Sequence, residues 1–213
     1  MKNQNNLYKY EMKLNKQGFK YIAGVDEVGR GPLAAGVLAC ACILNCDSHI
    51  KGINDSKKLT ERRRLDLEKI IKEKALAYAF GYVNEREIDK INIYQASKLA
   101  MKRAIKALKI KPDYLLVDAM TIDLDIVQKN IIKGDTLSAS IAAASILAKV
   151  KRDEIMVKFS KIYPNYGFHQ HKGYPTKMHL SNLNKYKPCK IHRKSYKPVK
   201  QANLFQQSLD LGG

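Results

Sequence analysis

Three apolar stretches of this chain stop at an acidic residue. "AGVDE" reaches Asp26 and Glu27, "YLLVD" reaches Asp118, and "IIKGD" reaches Asp135. Short apolar runs separated by helical patterns read as strands of a sheet that helices cover. In such a sheet ligands gather at the edge where strand ends deliver their side chains. The pattern therefore demands a fold that carries carboxylates from distant parts of the sequence toward one edge.

The intervening segments fill in the class. Residues 20–26 read as a first strand and residues 33–44 as a second, rich in Val, Ile, Ala and Cys. Asn54-Asp55-Ser56 is turn chemistry. Thr60 is suited to N-cap a helix over Glu61–Lys74, in which Leu67, Ile70 and Ile71 follow helical spacing. Ala75–Val83 reads as a third strand. Ile88–Leu108 reads as a helix with Ile91, Tyr94, Leu99 and Ile105 toward the core, stopping before Lys111-Pro112. Strands at Tyr114–Val117 and Ile126–Ile132 and a helix from about Thr136 to Ile162 complete the pattern. Strands come first in hairpin-like succession and later alternate with helices, which predicts an α/β protein with a mixed sheet flanked by helices. A catalytic domain over residues 21–162 follows a helical extension, 1–20. The stretch 163–200, rich in Lys, His, Tyr and Pro, reads as a small basic helical lobe, and a flexible tail is expected over 201–213.

Charge narrows the partner. The 39 Lys and Arg against 20 Asp and Glu leave a net charge of +19 across 213 residues. That excess opposes compaction by self-repulsion unless a polyanion makes it useful, and nucleic acid is the leading polyanion. The longest apolar run, Leu33 to Leu44, falls short of the ~20 residues a bilayer span needs, and MKNQNNLYKYEMK has no signal-peptide core. A cytoplasmic, monomeric protein with no membrane association is the expectation. Cys40 and Cys42, two apart in a strand, point to one face, and with Cys46 and Cys189 they read as free thiols of a reducing compartment.

Carboxylates converging in a basic protein repel one another unless cations neutralise them, and oxygen-only ligation favours Mg²⁺ or Mn²⁺ over zinc. Each acid also has a plainer reading, as a helix cap or a solvated strand end. That reading is strongest for Asp135, placed where an acidic N-cap would precede Thr136. Glu27 carries a difficulty, since neighbouring strand residues face opposite ways. Both carboxylates serve one site only if the strand bends, and Gly29 and Gly31 are placed to allow it. Those glycines would also expose backbone N–H groups to a ligand, with Arg30 adding a cation.

Taken together, "GVDEVGRGPLAAGV", "NDSKKLT", "YLLVDAM", "KGDTLSASIAAASILAKVKRD", "YGFHQHKGYPTKMH" and "IHRKSYKPV" resemble bacterial ribonuclease HII, the type 2 ribonuclease H, in the family's order across residues 21–199. The resemblance implies a ribonuclease H-like fold in which Asp26, Glu27, Asp118 and Asp135 are the catalytic carboxylates and hold two Mg²⁺ or Mn²⁺ ions; Asp26, central among the strand ends, is the expected bridging ligand. It implies cleavage on the 5′ side of ribonucleotides embedded in duplex DNA and of RNA in RNA–DNA hybrids, leaving 3′-hydroxyl and 5′-phosphate ends. Gly29, Arg30 and Gly31 would read the 2′-hydroxyl, and Tyr174 would pack on the next sugar.

Lys57, Lys58, Ser138, His171 and Lys172 join them as candidate substrate contacts, Ser138 because a helix start suits phosphate. The small-residue run SASIAAASILA also suits close packing of a helix on a sheet. His169, His171, His179 and Cys189 could be drawn as a zinc site, but the flanking Tyr, Lys and Gly fit a substrate-facing loop better. The chain departs from the family at Ala119, where glycine is common, and at Tyr196, where phenylalanine is frequent. Gln201-Ala202-Asn203-Leu204-Phe205 resembles the pentapeptide with which bacterial replication proteins dock on the sliding clamp, with Gln201, Leu204 and Phe205 as anchors. The rival class is a non-catalytic nucleic-acid binder whose carboxylates are caps.

Overall fold

A computed structural model describes residues 7–45, 49–54, 56 and 58–210, with side chains as far as Asn203. The chain forms two compact units, each assembled from separated stretches.

The first unit takes the chain up to Val28, Leu38–Tyr82 and Ser97–Val150. Its centre is a five-stranded sheet of β1 (Ile22–Val28), β2 (Val37–Leu44), β3 (Ala75–Val83), β4 (Tyr114–Asp118) and β5 (Gln128–Ile131), in the order β3-β2-β1-β4-β5. β1 is antiparallel to β2 and parallel to β4, which is parallel to β5, so the sheet is mixed as expected. Every residue of β2 is buried, which is why its sequence is continuously apolar rather than alternating. Cys40 and Cys42 lie within it as buried free thiols.

Helices α1 (Lys9–Lys16), α2 (Glu61–Lys74), α3 (Glu85–Lys106) and α4 (Ala139–Ile162) complete the framework. The Thr60 hydroxyl accepts from the Arg63 N–H at 3.3 Å and starts α2 where the sequence suggests. α3 starts earlier than its apolar pattern, because Asn84 and Glu87 form a reciprocal capping box, each side chain accepting the other's N–H at 3.0 Å. It is also interrupted at Asn92 (φ 65°), whose Oδ1 accepts from the N–H groups of Tyr94 and Gln95 and restarts the helix. α4 lies directly on β1: a Cβ on Gly24 would stand 2.0 Å from the Ser140 carbonyl carbon. The run Ala139–Ala148 is buried throughout, as helix–sheet contact at this range requires.

The second unit gathers Gly29–Val37, Val83–Ala96 and the chain from Lys151 onward. This unit is larger than the basic lobe expected at 163–200: it also takes residues 151–162, expected in the catalytic domain, and two earlier segments that the sequence reading did not join to it. One cluster packs Ala34, Ala35, Met156, Tyr166, Phe168 and Ile191. Another joins Leu33 and Leu183 to Val199 and Ala202. The short α5 (Phe168–His171), α6 (Lys177–Tyr186, capped by Thr176) and α7 (Lys197–Asp210) belong to it. α7 corrects one boundary: the tail expected to be flexible from Gln201 is helical there. Val199 and Ala202, one turn apart, pack on the same apolar cluster and hold the helix past that point. Among the described residues no helix is long and apolar enough to cross a membrane.

Candidate active site

Asp26 and Glu27 lie inside β1 rather than at its end. The antiparallel register continues through both, Asp26 opposite Cys40, Glu27 opposite Ala39 and Val28 opposite Leu38. The register shows no bend between the two acids, and the chain leaves the pleat at Gly29, with φ of 96°. The Asp26 carboxyl instead turns toward Glu27, its Oδ1 accepting from the Glu27 N–H at 2.8 Å, and Glu27 is the largest charge acting on it, so the two meet without the expected bend. β4 is the strand that stops. It pairs with β1 as far as Val25 opposite Val117 and ends at Asp118, so Asp26 and Asp118 follow at the same level. Asp135 sits in a 3₁₀ turn, Gly134–Thr136, after β5 has ended, and it does not cap α4. The N–H of Gly134 donates to Asp118 Oδ1 at 2.7 Å, which draws the start of that turn onto the end of β4.

Electrostatics ties the four acids together. Burial holds the Asp26 carboxyl well above the usual carboxylate range; the charges of Glu27 and then Asp118 push the same way, a hydrogen bond from Ser145 opposes them, and Asp135 adds a further push. Asp26 is 7% exposed, while Glu27, Asp118 and Asp135 are half-buried. The Ser145 hydroxyl of α4 also bonds that of Ser56 at 2.9 Å, so the "NDSKKLT" segment supports Asp26 through one intermediary. Sequence reasoning placed Ser56 in a turn and Ser145 in a small-residue run and gave neither a role at Asp26. Among the described residues no three His, Cys, Asp or Glu side chains form a ready coordination shell. The four carboxylates share a negative potential, not a finished cage. Oxygen-only donors, partly buried and raised in energy by mutual repulsion, fit a hard divalent cation as the missing counter-charge.

The glycine–arginine segment belongs to the second unit and is held by two buried arginines. A Cβ on Gly29 would meet Arg152 Nε at 2.3 Å. Arg152 donates to the carbonyls of Lys172 (3.0 Å) and Ala34 (3.4 Å). Arg193, fully buried, donates to the carbonyls of Gly29 (2.6 Å), Arg30 (2.9 Å) and Ala35 (2.8 Å) and to the Tyr196 hydroxyl (2.9 Å). That hydroxyl in turn donates to the Arg30 carbonyl at 2.8 Å, which gives the tyrosine at 196 a task phenylalanine could not perform. Arg30 is exposed, and the half-exposed Tyr174 ring stands 3.6 Å from where a Gly31 Cβ would be. Gly29, Arg30, Gly31 and Tyr174 are thus brought together within one unit.

Other expected contacts are placed differently. Ser138 is wholly buried, its hydroxyl donating to Glu11 Oε1 at 2.6 Å and accepting from the Ile141 N–H. Ser140 N–H donates to the same Glu11 oxygen at 2.9 Å. The helix start proposed for phosphate is already filled by a carboxylate of the protein itself, so Ser138 is a cap. His171 is 7% exposed, its Nε2 directed at the Tyr166 carbonyl (2.7 Å) and its Nδ1 accepting from the Gly173 N–H (3.1 Å). It braces the loop rather than facing substrate. Lys172 is half-buried and donates to the His169 carbonyl at 2.7 Å, while Lys58 is exposed. Lys57 and the side chains of Leu204 and Phe205 lie outside the described residues; Gln201 is exposed on α7.

The histidines form a relay instead of a zinc site. His192 Nδ1 accepts from the Cys189 N–H at 3.0 Å, which puts the ring proton on Nε2, 3.1 Å from His179 Nε2. His179 then donates from Nδ1 to the Tyr174 carbonyl at 2.9 Å. Burial lowers His192 to about 3 and His179 to about 4, and pushes the Cys189 thiol up to about 11. These rings are neutral and committed to one another and to the backbone that carries Tyr174.

Comparison with known proteins places this geometry. The family model described as Ribonuclease HII matches residues 23–199. Ribonuclease HII of Bacillus licheniformis is 52% identical over 191 residues, covering 90% of this chain and 75% of that one. The Desulfitobacterium hafniense protein of the same name is 53% identical over 196 residues, covering 92% and 75%. The crystal structure of ribonuclease H2 from Pyrococcus horikoshii OT3 superposes with a TM-score of 0.73 at 25% identity, covering 87% of this chain and 98% of that one.

Proposed function

Because this chain belongs to the ribonuclease HII family, the type 2 ribonuclease H endonucleases, we propose that it cleaves on the 5′ side of ribonucleotides embedded in duplex DNA and of RNA in RNA–DNA hybrids, leaving 3′-hydroxyl and 5′-phosphate ends. The observation that carries the reading is the placing of Asp26 and Asp118 at one level of paired β1 and β4, with Gly134 beside Asp135 bonded to Asp118 at 2.7 Å; the charges of Glu27, Asp118 and Asp135 all act on the buried Asp26 carboxyl.

Asp26, Glu27, Asp118 and Asp135 would hold divalent cations, Mg²⁺ or Mn²⁺, two per site. Bound there, such ions supply Lewis acidity toward the attacking water and the leaving 3′-oxygen. The protein's own part is positional. Gly134 orients Asp118 through its N–H, and Ser145 restrains Asp26 against the repulsion of its neighbours. Arg193 and Arg152 anchor the carbonyls around Gly29, Arg30 and Gly31, which holds that segment rigid for reading a 2′-hydroxyl. Tyr174, its carbonyl held by His179, offers a half-exposed ring to the adjoining sugar. The net charge of +19 supplies sequence-independent attraction to the phosphate backbone.

The decisive experiment incubates a DNA duplex carrying a single ribonucleotide with the protein and Mg²⁺, repeats it with EDTA, and maps the product ends. Metal-dependent cleavage 5′ to the ribonucleotide supports the reading. A duplex that is retarded but left whole in both arms establishes the rival, a binding protein. The segment from Gln201 to Phe205 is proposed to dock on a sliding clamp. Leu204→Ala with Phe205→Ala should abolish clamp binding and leave short-duplex hydrolysis intact, and unchanged clamp affinity would remove the idea.

A further inference from the structure

In the first unit a cavity of about 830 Å³ opens among α1, β5 and the turn that contains Asp135. This is within the ~300–1,000 Å³ range of ligand sites. None of the four catalytic candidates lines it. Lys9, Lys13 and Lys129 contribute cations and Tyr10 and Tyr114 contribute rings, over an apolar floor that includes Leu14. Among the described residues that line it, none is acidic. Lys129 Nζ lies over the face of the Tyr10 ring, 5.3 Å from its centre, so a cation and a ring share one place on the lining.

From this lining we infer that the cavity is an accessory site for a single, unpaired strand of nucleic acid. A simple anion or an acidic peptide would engage the lysines and leave the rings and apolar floor idle. An acyl chain would use the floor and leave three lysines without partners. A nucleic-acid strand uses both: its phosphates draw the lysines, Lys129 off the Tyr10 ring among them, and a base takes the uncovered tyrosine face. One wall of the cavity is Thr136, the residue after Asp135, so the strand site adjoins the carboxylate site along the chain.

The test is fluorescence anisotropy of a labelled oligothymidylate of about ten nucleotides, a length suited to single-strand sites, in EDTA. No hydrolysis is read, so the result stands whether or not the protein proves to cut duplexes. Lys13→Glu with Lys129→Glu should weaken binding by about tenfold or more. Lys106→Glu with Lys109→Glu, an equal charge change on exposed lysines outside the cavity, should change it less than about twofold. Tyr10→Leu, which keeps apolar bulk, should weaken it by about fivefold or more through lost stacking. Equal losses for the two lysine pairs would reduce the site to bulk charge and overturn the inference. Wild-type binding by Tyr10→Leu, or displacement of the oligonucleotide by polyglutamate at equal charge, would overturn it in favour of a general acidic ligand.

Discussion

Replacing Arg193 with methionine isolates what a buried guanidinium contributes to the glycine–arginine segment. The side chain fills similar space, so the main loss is hydrogen bonding. Of the four acceptors, the Tyr196 hydroxyl can reorient and the Arg30 carbonyl keeps that hydroxyl as donor at 2.8 Å. The carbonyls of Gly29 and Ala35, bonded to Arg193 at 2.6 and 2.8 Å, lose a charged donor in a buried setting. Each abandoned carbonyl costs roughly 1–3 kcal/mol. The pair therefore predicts a loss of about 4 kcal/mol, the middle of that range doubled. At about 2–4 °C per kcal/mol for a chain of this size, the melting temperature should fall by about 8–16 °C. Thermal unfolding followed by circular dichroism in metal-free buffer measures it. Arg193→Lys keeps the charge but not the planar fork, and should fall between parent and methionine variant. A methionine variant melting within about 4 °C of the parent would refute the assigned role, because less than about 1–2 kcal/mol would then reside in the fork.

Asp118→Asn should retain duplex affinity, since the basic surface is unchanged, and lose most turnover of an embedded-ribonucleotide duplex; parental rates would exclude the residue from the metal set. The neutral histidines set a second expectation. His179 and His192, held at about 4 and about 3 against an ordinary value of 6.5, favour the fold fully above pH 6.5. That contribution is lost as pH falls toward those values, because the unfolded chain takes up protons the folded chain refuses. Asp26 has the opposite sign, since its raised carboxyl makes stability fall as pH climbs above the usual carboxylate range. Melting curves of Asp26→Asn from pH 7 to 5 therefore expose the histidine slope alone, and a flat profile would refute it. Gly24→Ala drives a methyl to 2.0 Å from the Ser140 backbone and should cost about 3 kcal/mol or more, read as an unfolding midpoint lowered by at least about 6 °C.

Much of this was legible because strand signals and acids are local. Thr60, the end of β2 at Leu44 and the end of β4 at Asp118 stand where apolar runs and cap chemistry point, although β2 starts at Val37 and not at Leu33. The acids at 26 and 27 misled in one respect. A strand seemed to stop at them because charge is rare in a pleat, yet β2 supplies antiparallel partners through Val28. The two buried arginines were hidden by abundance, since nothing local separates Arg152 or Arg193 from the exposed basic residues around them. Ser138 had the right address for a phosphate and the wrong occupant, since its partner Glu11 lies 127 residues away. α7 went unread for the same reason, its packing partners Leu33 and Leu183 being remote in sequence.

The Glu11–Ser138 contact also bears on the order in which the molecule is made. α1 leaves the ribosome well before the hydroxyl and amide that receive its carboxylate, which follow Glu11 by 127 and 129 residues. Closing so wide a loop is entropically slow, so the amino-terminal segment is among the last parts to dock during biosynthesis.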